Sequence, residues 1–143
     1  MSDGSASGAM ANDEGTVRIA GEDDILRARQ ATRDVVSDMG FDLTDVTRIV
    51  TAVSELARNV HLYAGEGEMR WRTIRDADRT GIELTFDDDG PGIPDVDAVL
   101  RGEYSTSDGM GRGVKGTKKL MDDIDIATSE DDGTTVTIRK WQR

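Results

Sequence analysis

Residues 44–60, TDVTRIVTAVSELARNV, decide how this chain folds. Val46, Ile49, Val50, Val53, Leu56, Ala57 and Val60 recur at the i, i+3, i+4, i+7 spacing that lays one apolar stripe along a helix. Thr44 stands where an N-cap is expected, and Gly65 and Gly67 end the pattern. A helix striped on one side must bury that side against another layer. The same helix carries a carboxylate and an amide one turn apart, Glu55 and Asn59. They fall on roughly the opposite side from the centre of the stripe near Val53.

The layer that receives this helix is legible on either side of it. Upstream, TVRIA (16–20) alternates as a strand does. Asp23 or Asp24 is placed to cap a further helix, with Ile25, Ala28, Val35, Val36 and Met39 on its apolar side and Gly40 at its stop. Downstream, GEMRWRTI (67–74) and IELTFD (82–87) read as strands joined by the polar segment DADRTG (76–81). DVDAVLRG (95–102) reads as a short helix and VKGTKKLMDD (114–123) as a longer one, with the apolar-poor loop 103–113 between them. DIDIATS (123–129) and TTVTIRKW (134–141) form a closing hairpin about the turn EDDG. Helices grouped together and strands joined by hairpins predict a two-layer α/β (α+β) sandwich with a mixed, largely antiparallel sheet and helices on one face. Residues 1–14, rich in Gly and Ser, read as a flexible tail, and 15–143 as a single domain.

Composition narrows the function. With 143 residues there is material for one hydrophobic core. No stretch approaches the roughly 20 apolar residues of a membrane span, and the N-terminus lacks the basic and apolar regions of a secretory signal. A cytoplasmic protein without a membrane partner is expected. The absence of cysteine excludes disulfides and thiolate metal sites, and the single histidine, His61, excludes a histidine cluster within one chain. His61 itself reads as a structural or partly exposed residue. The net charge is −11, with 21 Asp among the acidic residues and only four Lys. Such a surface opposes binding to nucleic-acid phosphates; it suits solubility, a basic partner or a salty cytoplasm.

Three segments carry candidate chemistry. Asp88-Asp89-Gly90-Pro91-Gly92 follows a predicted strand; its glycines let a flat ligand approach the backbone, and a buried Asp88 accepts a hydrogen bond from an exocyclic amine. Gly109-Met110-Gly111-Arg112-Gly113 precedes a helix, where free N–H groups, the helix N-terminus and the cations Arg112, Lys115 and Lys118 suit phosphate. Asn59 offers an oxygen to Mg²⁺, and Glu55 a base to a hydroxyl. Taken singly, each has an ordinary reading: a strand-ending turn, a flexible loop, a solvated helix face.

Taken in this order, E-L-A-R-N on a helix, D-x-G-x-G after a strand, G-M-G-R-G before a helix and Gly133-Thr134 in the closing strand, the chain resembles the GHKL ATPases, which share the Bergerat nucleotide-binding fold. SELARNVHLYAGEGEM (54–69), DDGPGIPD (88–95), YSTSDGMGRGVKGTKKLMDD (104–123) and TTVTIRKW (134–141) are similar to the RsbT-like serine/threonine-protein kinases of the stressosome and other partner-switching systems. The likeness covers about residues 16–143. It implies Glu55 as general base, Asn59 as Mg²⁺ ligand, and Asp88 at the adenine amino group with Gly90 and Gly92 shaping the pocket. It also implies Gly109, Gly111 and Gly113 in the phosphate-side lid, Arg112 as its cation, and Thr134 in support of Asp88. ATP and Mg²⁺ are the implied cofactors. The implied partners are a STAS-domain antagonist as substrate and the regulatory region of a PP2C-type phosphatase. Related anti-sigma kinases carry an arginine ahead of the G-x-G element, where this chain has Ser107 or Asp108, and Lys115 stands where a proline is expected in close relatives. An anti-sigma factor acting on an anti-anti-sigma protein, and a non-catalytic docking module, are the competing readings.

Overall fold

The computed structural model describes residues 13–90, 110–129 and 133–142. The elements run β1 (Glu14–Ile19), α1 (Glu22–Met39), α2 (Leu43–Asn59), a π-helical turn (Val60–Ala64), β2 (Gly67–Asp76), β3 (Arg79–Asp88), α3 (Met110–Leu120), β4 (Asp123–Ser129) and β5 (Gly133–Trp141). The five strands form one sheet in the order β1-β2-β3-β5-β4. The predicted helix at 95–102 and most of the EDDG turn lie outside the described residues. The largely antiparallel sheet expected from the hairpins is present, and every strand pairing among the described residues is antiparallel. In that order β5, the last strand in the described sequence, lies between β3 and β4.

Register explains the core. Met69 of β2 faces Phe86 of β3, which faces Val136 of β5, and Leu84 similarly faces Ile138. These side chains meet Ile49, Val53 and Leu56 of α2 and Ala28 and Val36 of α1 in one cluster of buried residues. The alternate strand residues point the other way. There Glu83, buried, accepts from Arg72 Nε at 2.6 Å and Arg139 Nε at 2.8 Å, and Arg139 reaches Asp125 at 3.3 Å. A sheet with one apolar and one polar face is the usual antiparallel solution.

Several ends differ from expectation. The N-cap of α2 is Asp42, whose Oδ1 accepts from Asp45 N at 2.8 Å; Thr44 lies inside the helix. Helix α1 starts after Gly21 without a side-chain cap, and Asp24 instead accepts from Ala20 N at 2.8 Å. Gly40 ends α1 as predicted, with φ 94°. The β2–β3 hairpin is tighter than the polar segment suggests: Asp76 pairs with Arg79, leaving a two-residue turn whose Ala77 has φ 53°. Helix α3 begins at Met110, four residues early, so the glycines form its first turn. Burial of Val114, Thr117 and Met121 on one side offsets the poor helix propensity of those glycines.

Candidate functional site

The site forms where α2 runs out above the end of β3. Asp88 continues the face of β3 that carries Ile82, Leu84 and Phe86, so it points toward the helices and not to the polar face. Asn59 is the last residue of α2, and the π-helical turn beyond it widens the backbone as it leaves the helix. Such turns recur at functional sites. Between them lies a cleft that opens to solvent. Leu56, Val60, Phe86, Val114 and Val136 make its apolar walls; Asn59, Asp88 and Thr134 supply polar groups.

Asp88 is half-buried. Burial pushes its carboxyl above the ordinary aspartate value, and the charges of Asp87 and Asp89 add to the rise. The backbone N–H groups of Gly90 and Thr134 donate to it and pull the other way, Gly90 N at 2.9 Å. Two close approaches fix this geometry. A Cβ on Gly90 would lie 2.6 Å from Ala64 Cβ, so only glycine lets the loop press on the π-helical turn. Gly133 has φ 79°, and a Cβ there would collide with the main-chain oxygen of Asp88. Thr134 is buried opposite Asp88 in register, its hydroxyl 3.1 Å from that of Thr128.

The Asn59 amide is half-buried and makes no hydrogen bond to another described residue. Glu55 stands one turn back along α2, outside the lining of the cleft. Its side chain is 38% exposed and pairs with Arg58 Nη1 at 3.3 Å. Helix α3 contributes Val114 to the cleft wall, with Gly111, Arg112 and Gly113 in the turn before it. Gly92 and Gly109 lie outside the described residues.

The signature of the histidine kinase-like ATPase domain matches residues 20–140. The chain belongs to the histidine kinase-like ATPase family. It is 43% identical over 132 residues to the serine/threonine-protein kinase RsbT of Bacillus subtilis, covering 92% of this chain and 99% of that one. An anti-sigma F factor of Bacillus licheniformis is 28% identical over 118 residues, covering 79% and 81%. A crystal structure of the RsbU and RsbW domains of a Mycobacterium tuberculosis protein shares the fold, with a TM-score of 0.61 at 19% identity. It matches over 92% of this chain, which spans 33% of that longer one. Within the family the chain is of the RsbT-like serine/threonine-protein kinase type.

The residues present fit the nucleotide that this family takes. Apolar walls with a carboxylate among them suit a purine with an exocyclic amine, and the Asn59 amide oxygen in the same lining suits a cation that keeps waters and phosphate oxygens in its shell. The walls Phe86, Val136 and Val114 escape motif reading, although strand alternation through IELTFD already places Phe86 and Asp88 on one face. Tyr63 and Ala64 line the cleft because of the π-helical turn, for which the sequence offers no signal.

Proposed function

We propose that this protein is a cytoplasmic, ATP- and Mg²⁺-dependent kinase that phosphorylates a serine or threonine of a STAS-domain antagonist. In this reading it then switches partner and activates a PP2C-type phosphatase through its regulatory region. The observation that carries the reading is the convergence of Asp88 and Asn59, from a strand and a helix 29 positions apart in sequence, on one apolar cleft of a chain similar to RsbT throughout.

Asp88 accepts from the adenine amino group while the N–H groups of Gly90 and Thr134 hold its carboxylate in place. Leu56, Phe86 and Val136 sandwich the ring and exclude water. Asn59 holds Mg²⁺, which neutralises charge on the phosphate oxygens when bound. The first turn of α3, with Gly111 and Gly113, offers N–H groups to the phosphates, and Arg112 in that turn is the accompanying cation. The partner hydroxyl oxygen bonds to the γ-phosphorus as the bridging P–O bond to ADP breaks. Glu55, one turn back along α2 from Asn59, takes the hydroxyl proton.

Incubation with labelled ATP, Mg²⁺ and a STAS-domain protein is expected to yield a phosphoserine or phosphothreonine. Glu55→Ala removes turnover while keeping ATP binding; loss of both refutes its role as base. Asn59→Ala weakens Mg²⁺-dependent binding selectively. The anti-sigma likeness supports one second reading, in which the same chemistry accompanies capture of a sigma factor. Sigma-factor pulldown without a STAS interaction selects it.

A further inference from the structure

Lys140 is one of four lysines in the chain and is 4% exposed. The cleft does not use it. It sits on the helix-facing side of β5, opposite Ile82. Its Nζ donates to the main-chain oxygen of Leu120, the last residue of α3, at 3.0 Å. It also lies 3.8 Å from Asp45 Oδ1, in the first turn of α2, and 3.7 Å from Asp122 Oδ1. Asp45 is buried in turn and pairs with Arg48 at 3.1 Å. Asp122 closes the joint from the other side: its N–H donates to Arg139 O at 2.9 Å, and its Oδ2 accepts from Trp141 N at 2.8 Å. One ammonium therefore ties the C-terminal end of α3 to the start of α2 and to the sheet. A cation at a helix C-terminus is also favoured by the helix dipole.

The other end of α3 carries Val114 in the cleft wall and the Gly111–Gly113 turn. A helix clamped at one end swings about that clamp, so displacement is greatest at the far end. We propose that Lys140 is a positioning residue for the nucleotide site: it fixes the pivot of α3 and so sets where its first turn meets the phosphates. This rests on the proposed ATP site.

Burying an ammonium is costly unless its partners are good, and hydrophobic replacement of a buried ion pair is often neutral or better for stability. A role in stability alone leaves the ligand preferences of the folded protein unchanged. The discriminating readout is the ratio of ATP to adenosine affinity, measured by calorimetry on the full chain with Mg²⁺, because adenosine lacks the phosphates. Lys140→Met is expected to lower that ratio about tenfold, on the scale by which small misplacements act from a distance. Lys140→Arg keeps a cation and hydrogen-bond donors and is expected to restore it to within about threefold. Amide exchange along 110–120 is expected to quicken in the Met variant. An unchanged ratio in folded Lys140→Met, or equal weakening of ATP and adenosine, overturns the inference. Where Lys140→Met does not fold, Asp122→Ala removes one of the ammonium's partners, and with it the bond from Trp141 N, at a more exposed position; a wild-type ratio there overturns it as well. Failure of the unaltered protein to bind ATP refutes the underlying site instead.

Discussion

Replacing Asp88 by asparagine separates what the cleft needs for ligand from what it needs for folding, and the two effects have opposite signs. The carboxyl titrates above its ordinary value in the folded chain, with burial as the main cause. A carboxyl whose folded pKa is raised contributes stability that is fully present below the unfolded value, about 3.9, and lost as pH rises through the folded one. The amide of the Asp88→Asn variant does not ionise and escapes that loss, while its oxygen still accepts from the N–H of Gly90. Without nucleotide, Asp88→Asn is therefore expected to melt above the wild type at pH 7, the gap closing as the pH falls through the unfolded value. With nucleotide the order reverses. A hydrogen bond to a charged acceptor contributes about 1.5–3 kcal/mol, which corresponds to a loss of about 10- to 150-fold in ATP affinity. At an ATP concentration of about 1,000 times the wild-type Kd, ligand stabilises by about 4.1 kcal/mol; a hundredfold weaker variant keeps about 1.4. For a domain of this size the difference is about 10 °C in Tm. Thermal melts from pH 4 to pH 8, with and without Mg²⁺-ATP, read both effects at once. A variant that is less stable at pH 7 and retains the full ATP shift refutes the reasoning on both counts.

Gly133→Ala drives a methyl group into the Asp88 carbonyl at φ 79° and is expected to cost at least about 3 kcal/mol and abolish the ATP shift; chemical denaturation checks the first and calorimetry the second. On the polar face, burial works to raise the Glu83 pKa, but the hydrogen bonds and charges of Arg72 and Arg139 outweigh it and hold the group below its ordinary value. Its stabilisation is thus present above the unfolded pKa, near 4.3, and lost as pH falls through the folded one. Glu83→Gln is expected to lose about 2–3 kcal/mol at pH 7 and progressively less in acid, in denaturant titrations at each pH, with ATP affinity unchanged.

Helix α2 was legible because its stripe obeys a single period, and strands β2 to β5 because alternation and glycine mark them. The ends were less so. Asp42 and Thr44 are both acceptable caps by type, and only the chain path into the helix selects Asp42. The early start of α3 hides behind glycines that favour a loop locally and are overruled by the burial of Val114 and Thr117. Of the site, strand parity already places Asp88 and Thr134 on the helix-facing side. Asn59, which the wheel sets away from the apolar stripe, joins them in the cleft lining at the end of α2, where the π-helical turn begins, and Gly90 joins through its N–H to Asp88. Glu55 is outside the lining of the cleft and pairs with Arg58, a placement that a helical wheel does not resolve. Lys140 was illegible: a lysine among strand residues reads as exposed until the tertiary fold sets Asp45 and the Leu120 carbonyl beside it.

The placement of β5 between β3 and β4 has a consequence for synthesis. Thr134 and Val136, two faces of the cleft, belong to the strand made last among those described, and β4 has no neighbour in the sheet other than that strand. Because a domain folds as a unit, the cleft lacks its far wall for as long as that strand is unmade. The nascent polypeptide is thus unable to capture nucleotide until residues 133–141 emerge. The same segment also brings Val136 and Ile138 to the core, so cleft and core are completed together.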